Sequence, residues 1–81
     1  MNVEVLTPKG REFQGETDCL VLPTLLGEIS VLPNHASLIS VLKAGRIKIK
    51  NKDKENVFEI EGGVAEVEND KATILLKKFN I

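Results

Sequence analysis

The chain has 81 residues, enough for one compact domain and too few for two. Hydrophobic residues make up 42% of it with three Phe and neither Trp nor Tyr, so a core must be built from Val, Ile and Leu, which favour strands. Eleven basic residues against twelve acidic ones leave a net charge of −1, which excludes a global field that would draw in nucleic acid or anionic lipid.

The opening Met1-Asn2-Val3-Glu4 lacks a basic region followed by an apolar one, and no run reaches the ~18 apolar residues of a membrane-spanning helix. The chain therefore reads as soluble and unexported, with no direct membrane insertion. Val3 and Val5 alternate with polar neighbours as in a strand, and Pro8-Lys9-Gly10 then turns the chain. Residues 19–22 form an apolar run; Cys19, the single cysteine, has no partner for an internal disulfide and is expected there as a small buried hydrophobe. Ile29 and Val31 alternate next, before the break at Pro33-Asn34.

Residues 37–42 are ambiguous. Asn34 could cap a helix in which Leu38 and Leu42 stack one turn apart and Gly45 ends it, or the segment could be a strand buried on both faces. The β-branched Ile39 and Val41 and the two serines lower helix propensity and favour the strand. Beyond Gly45, Ile47 and Ile49 alternate with Arg46, Lys48 and Lys50; after a polar turn over 51–56, Phe58 and Ile60 alternate with Glu59 and Glu61. An antiparallel hairpin would set these basic and acidic residues opposite one another and help to fix register. Gly62-Gly63 suits a tight hairpin turn or bulge with positive φ. A strand over 64–67, a turn at Asn69-Asp70 and a last strand with Ala72, Ile74 and Leu76 complete the pattern. The fold class is all-β: a small antiparallel β-sandwich of about eight to ten short strands.

Chemistry-bearing residues are few. His35 is the only histidine and Cys19 falls in another predicted element, so no metal-ligand set is expected. Ser30 and Ser37 match no nucleophile motif with His35, so no catalytic residue and no cofactor are expected. The basic stripe has no interleaved aromatic rings, which speaks against nucleic acid. Gly62-Gly63 is followed by a strand, whereas phosphate loops lead into a helix. Asp70-Lys71-Ala72 resembles the cofactor-bearing hairpin tip of lipoyl carrier domains, which makes Lys71 an alternative site. That match is three common residues placed near the end of the sequence instead of mid-domain, with Glu68-Asn69 in front of it, and a plain turn is the better reading.

Four ordered stretches carry a more specific resemblance. They are Val3-Glu4-Val5-Leu6-Thr7-Pro8 with Phe13 and Gly15; Gly27-Glu28-Ile29-Ser30-Val31-Leu32-Pro33-Asn34-His35-Ala36-Ser37-Leu38; Leu42-Lys43-Ala44-Gly45-Arg46-Ile47; and Gly62-Gly63-Val64-Ala65-Glu66-Val67. Together they resemble the amino-terminal β-sandwich of the epsilon subunit of rotary, proton-driven ATP synthases along nearly the whole chain.

The resemblance implies a non-catalytic rotor piece of the central stalk, held against the gamma subunit and resting on the polar loops of the c-ring. There it would couple proton-driven rotation to the shaft, at the cytoplasmic face of a bacterial inner membrane or the equivalent organelle face. By motif, Glu28, Pro33, Asn34, His35 and Ala36 fall where the family faces the ring or the gamma foot; read without it, Pro33-Asn34 is a turn and Glu28 a solvated side chain. The sequence departs from the family at Glu61, where serine or threonine is common. The family also continues into two helices that restrain hydrolysis and in some members bind ATP. Here residues 77–81 are too short for a stable helix, which implies a sandwich over 1–81 without the helical hairpin and without ATP binding.

Overall fold

A computed structural model of the chain describes residues 1–77 and 79–80. Its ten strands are β1 (Asn2–Thr7), β2 (Gly10–Glu16), β3 (Cys19–Thr24), β4 (Gly27–Val31), β5 (Leu38–Leu42), β6 (Gly45–Asn51), β7 (Lys54–Ile60), β8 (Gly63–Glu68), β9 (Lys71–Leu76) and β10 (Phe79–Asn80). No helix occurs among the described residues. Of the closing stretch 77–81, Lys78 and Ile81 lie outside the described residues, while Phe79–Asn80 pairs with β7.

The strands follow one hydrogen-bonded path, β10-β7-β6-β3-β5-β8-β9-β1-β2, with β4 on the remaining edge of β3. A single pair, Thr24↔Leu42, joins β3 to β5, and the path folds over there into two layers. Every pairing is antiparallel except β1 with β9, which is parallel from Asn2↔Lys71 to Leu6↔Leu75. The small antiparallel β-sandwich expected from the sequence is what the chain forms, with this one parallel pair in it: β1 and β9 are not joined by a turn, so nothing local forces their direction.

Alternation dictates the core. Ile47 and Ile49 of β6, Ala65 and Val67 of β8, Ala72, Ile74 and Leu76 of β9, and Val3 and Val5 of β1 all point inward and are buried. Each fully buried Val, Leu or Ile side chain among them contributes ~1.5–3 kcal/mol, and each alanine less. In β3 burial runs from Leu20 to Thr24, while Cys19 is only half-buried because it starts the strand. At one edge the rings of Phe13 in β2 and Phe58 in β7 meet, centroids 5.7 Å apart and tilted by 59°, and tie the layers together.

The link from β2 to β3 is fixed by Thr17, 2% exposed. Its Oγ1 lies 2.9 Å from the Cys19 carbonyl and 2.8 Å from that of Lys50, and accepts the Cys19 N–H at 3.2 Å. A buried hydroxyl thus bridges the backbone of β3 and β6, where the Lys50 carbonyl also accepts the Asp18 N–H at 2.7 Å.

Three local expectations change. The β6–β7 hairpin has the expected Arg46↔Glu59 register, but its strands run on to Asn51↔Lys54, leaving a turn of only Lys52-Asp53. Lys50 meets Glu55 at 3.7 Å, Lys48 stands opposite Val57, and Glu61 lies past the strand end. β5 is a strand, but it is not buried on both faces: Ile39 and Val41 are 74% and 52% exposed. Gly62 has the expected positive φ, 130°, yet the double glycine forms no hairpin. It carries the chain from β7 in one layer to β8 in the other, because β8 pairs with β5 and β9. The β8–β9 hairpin instead turns at Asn69-Asp70, with φ of 52° and 57°, the signature of a type I′ turn.

Candidate interaction site

The five residues singled out in the sequence do not form one site. Glu28 is exposed near the start of β4, opposite Pro23 and next to the β3–β4 tip, where Leu25 and Leu26 are 64% and 102% exposed. Pro33, Asn34, His35 and Ala36 are exposed in the loop beyond the far end of β4. At ~3.4 Å per residue the strand separates the two groups by more than ~10 Å. One end of the sandwich carries Glu28 with two leucines, and the other carries the His35 loop.

Within that loop, Leu32 O accepts the His35 N–H at 3.2 Å, and Asn34 takes φ 66°. His35 Nδ1 lies 2.6 Å from the Ala36 carbonyl, so the imidazole folds back on its own backbone. Among the described residues no group of three or more His, Cys, Asp and Glu side chains is arranged to hold a metal ion.

A surface missed in the sequence lies on the outer face of the β5-β8-β9-β1 layer. Val41 stands opposite Val64, Val64 opposite Leu75, and Leu75 beside Leu6, so four strands place one apolar row in register. Val41, Val64 and Leu75 are 52%, 38% and 51% exposed. Cross-strand neighbours share a face, so these side chains form one contiguous patch. The next row, Ile39, Glu66, Thr73 and Glu4, turns polar beyond Ile39. There Glu4 meets Arg11 at 3.3 Å and Lys71 at 4.0 Å. The sequence signal was the break of alternation in β9, where Leu75 follows Ile74: one side chain is buried and the next must face out.

Lys71, the alternative cofactor site, begins β9 directly after the type I′ turn. Glu68 is its partner across the strand pair, and its ammonium lies 4.0 Å from Glu4 Oε1, on a strand instead of at an open tip.

Comparison with known proteins follows the same lines. The family model described as "ATP synthase, Delta/Epsilon chain, beta-sandwich domain" matches residues 1–80. The ATP synthase epsilon chain of Campylobacter curvus is 45% identical over 76 residues, covering 93% of this chain and 59% of the relative. That of Brevibacillus brevis is 41% identical over 76 residues, with 93% and 58% covered. The chain thus spans less than two thirds of the length of these curated relatives. Among solved structures, a chain of the Tetrahymena thermophila mitochondrial ATP synthase central stalk and c-ring superposes with a TM-score of 0.84 at 18% identity, covering 99% of this chain and 65% of that one. A chain of the Euglena gracilis mitochondrial ATP synthase gives 0.88 at 20% identity, with 96% and 51% covered. These two likenesses show a shared fold.

Proposed function

Because the chain belongs to the ATP synthase delta/epsilon-chain family through its β-sandwich domain, we propose that it is a non-catalytic body of the rotor that couples rotation of the c-ring to the gamma subunit. The observation that carries this reading is the apolar row Val41, Val64, Leu75 and Leu6. A contiguous patch of branched aliphatic side chains left open on an otherwise alternating sheet is the kind of surface that a protein partner covers. The gamma subunit is the partner assigned to it.

The two ends then have separate tasks. Glu28 and the leucine tip form one contact, toward the ring loops; Pro33, Asn34, His35 and Ala36 form another, toward the gamma foot. A coupling body needs stiffness more than chemistry, since torque passes through it only if contacts on different faces keep their relative positions. A two-layer sandwich with a close-packed aliphatic core meets that need. Under this reading the protein works at the membrane surface as a peripheral part of the complex, at the cytoplasmic face in a bacterium or the equivalent face in an organelle.

The test is binding of the gamma subunit by chains carrying Val41→Glu, Leu75→Glu or both. Charges placed in the centre of an apolar contact should weaken binding by at least tenfold each (~1.4 kcal/mol or more). Circular dichroism should stay that of a β protein, because both positions face outward. Unchanged affinity in the double variant would remove the patch, and with it the proposed coupling contact.

A further inference from the structure

Among the described residues, one hydrogen bond ties the loop carrying Pro33, Asn34, His35 and Ala36 to another element. Its own turn, closed by the His35 N–H on Leu32 O, has Pro33 in the second place and Asn34 at φ 66° in the third, the arrangement of a type II turn. Such a turn satisfies the N–H of its fourth residue only. The N–H of the third residue, Asn34, points away from the turn and finds no acceptor within it.

That N–H is taken from a distance of 36 residues along the chain: Asn34 N lies 2.9 Å from Asp70 Oδ1. Among the described residues this is the one hydrogen bond that joins residues 33–36 to another element. Asp70 is well placed for it, because Asn69 and Asp70 form the type I′ turn of the β8–β9 hairpin and the carboxylate rises from a pinned backbone. The turn itself does not require that carboxylate, since glycine suits this position of a type I′ turn best. The other oxygen, Oδ2, stands 3.7 Å from the amino group of Met1.

We propose that Asp70 is a positioning residue for the contact loop: by accepting the Asn34 N–H it sets the pose in which residues 33–36 meet the rotor partner. The inference rests on the reading of that loop as a contact with the gamma subunit. It adds a residue that the partner need not touch.

Two substitutions separate the acceptor from the charge. Asp70→Gly keeps the turn and removes the acceptor, whereas Asp70→Asn keeps an oxygen for Asn34 but loses the attraction to Met1. In Asp70→Gly, amide exchange at Asn34, followed by NMR, should rise about tenfold, while the amides within β8 and β9 and the unfolding midpoint hold. Affinity for the gamma subunit should fall severalfold. Asp70→Asn should recover most of both losses. Unchanged exchange at Asn34 in Asp70→Gly would overturn the proposal, as would faster exchange with unchanged affinity. His35→Glu, measured alongside, tells the two failures apart. If it weakens binding and Asp70→Gly does not, positioning by Asp70 falls and the contact stands; if neither weakens binding, the contact itself falls.

Discussion

Gly63 approaches Leu75 so closely that a β-carbon on Gly63 would run into the Leu75 carbonyl oxygen and stand 2.9 Å from Cδ2 of Leu76. The first obstacle is backbone in a paired strand, which cannot swing aside as a side-chain tip can. The two adjacent glycines therefore answer different needs: Gly62 supplies a φ of 130°, and Gly63 supplies clearance between β8 and β9.

Gly63→Ala should consequently cost about 2–3 kcal/mol, toward the upper end for an overpacked position. Urea unfolding would show it as a lower midpoint with the same slope. A loss below ~0.5 kcal/mol, the range of ordinary surface changes, would mean that the strands separate there without cost.

Removing the Thr17 hydroxyl without changing the shape of the side chain, as Thr17→Val, should cost ~1–3 kcal/mol by taking away its bonds to the backbone of Cys19 and Lys50, although the Lys50 carbonyl keeps the Asp18 N–H at 2.7 Å. Thr17→Ser should restore most of it. Thermal unfolding of the three proteins is the comparison, and a valine variant as stable as the parent would show that water replaces the hydroxyl.

Arg46 and Glu59 pair at 3.4 Å, with their side chains 64% and 68% exposed. A double-mutant cycle with alanine at both positions should give a coupling of at most ~1 kcal/mol, falling further in high salt. A coupling well above that would indicate a role in holding register that exposure alone does not suggest.

Glu28 and His35 stand at opposite ends of β4, so reversing Glu28 and placing a carboxylate at residue 35 should weaken rotor assembly independently. Each change should leave stability within about ±0.5 kcal/mol. Their effects on binding should add, as expected for sites more than ~10 Å apart with no shared partner. A strongly non-additive pair would mean that one partner surface bridges both ends.

Intact-mass measurement of protein purified from its own host should find Lys71 unmodified. Lys71 begins a paired strand opposite Glu68, with its ammonium 4.0 Å from Glu4 Oε1, which is not the open hairpin tip that an attaching enzyme meets in carrier domains. Stoichiometric added mass at this lysine would restore the carrier reading.

Period-two alternation made most strands legible, and opposite charges made the Arg46↔Glu59 register legible, because both are local consequences of the pleat. Lys54, Glu55 and Asn56 read as turn on composition, yet they extend β7, since both sides of that hairpin end are wet. Ile39 and Val41 read as buried, since an aliphatic residue looks the same whether its own chain or a partner covers it. The same ambiguity hid Val64 and Leu75. Glu28 and His35 look like one motif because seven positions part them, but a straight strand turns that short interval into opposite ends of the molecule.

The parallel pairing of β1 with β9 ties the second residue of the chain to the seventy-first. A growing chain cannot complete this fold while most of it is already made: the β1–β2 hairpin has no neighbour on its inner side until β9 leaves the ribosome. Synthesis is vectorial, so Val3 and Val5 wait uncovered until residues 71–76 of β9 have been made. Closing so long a loop also places the protein among slow folders for its size. Nascent chains arrested before residue 71 should be cleaved readily by protease, and chains released whole should resist it.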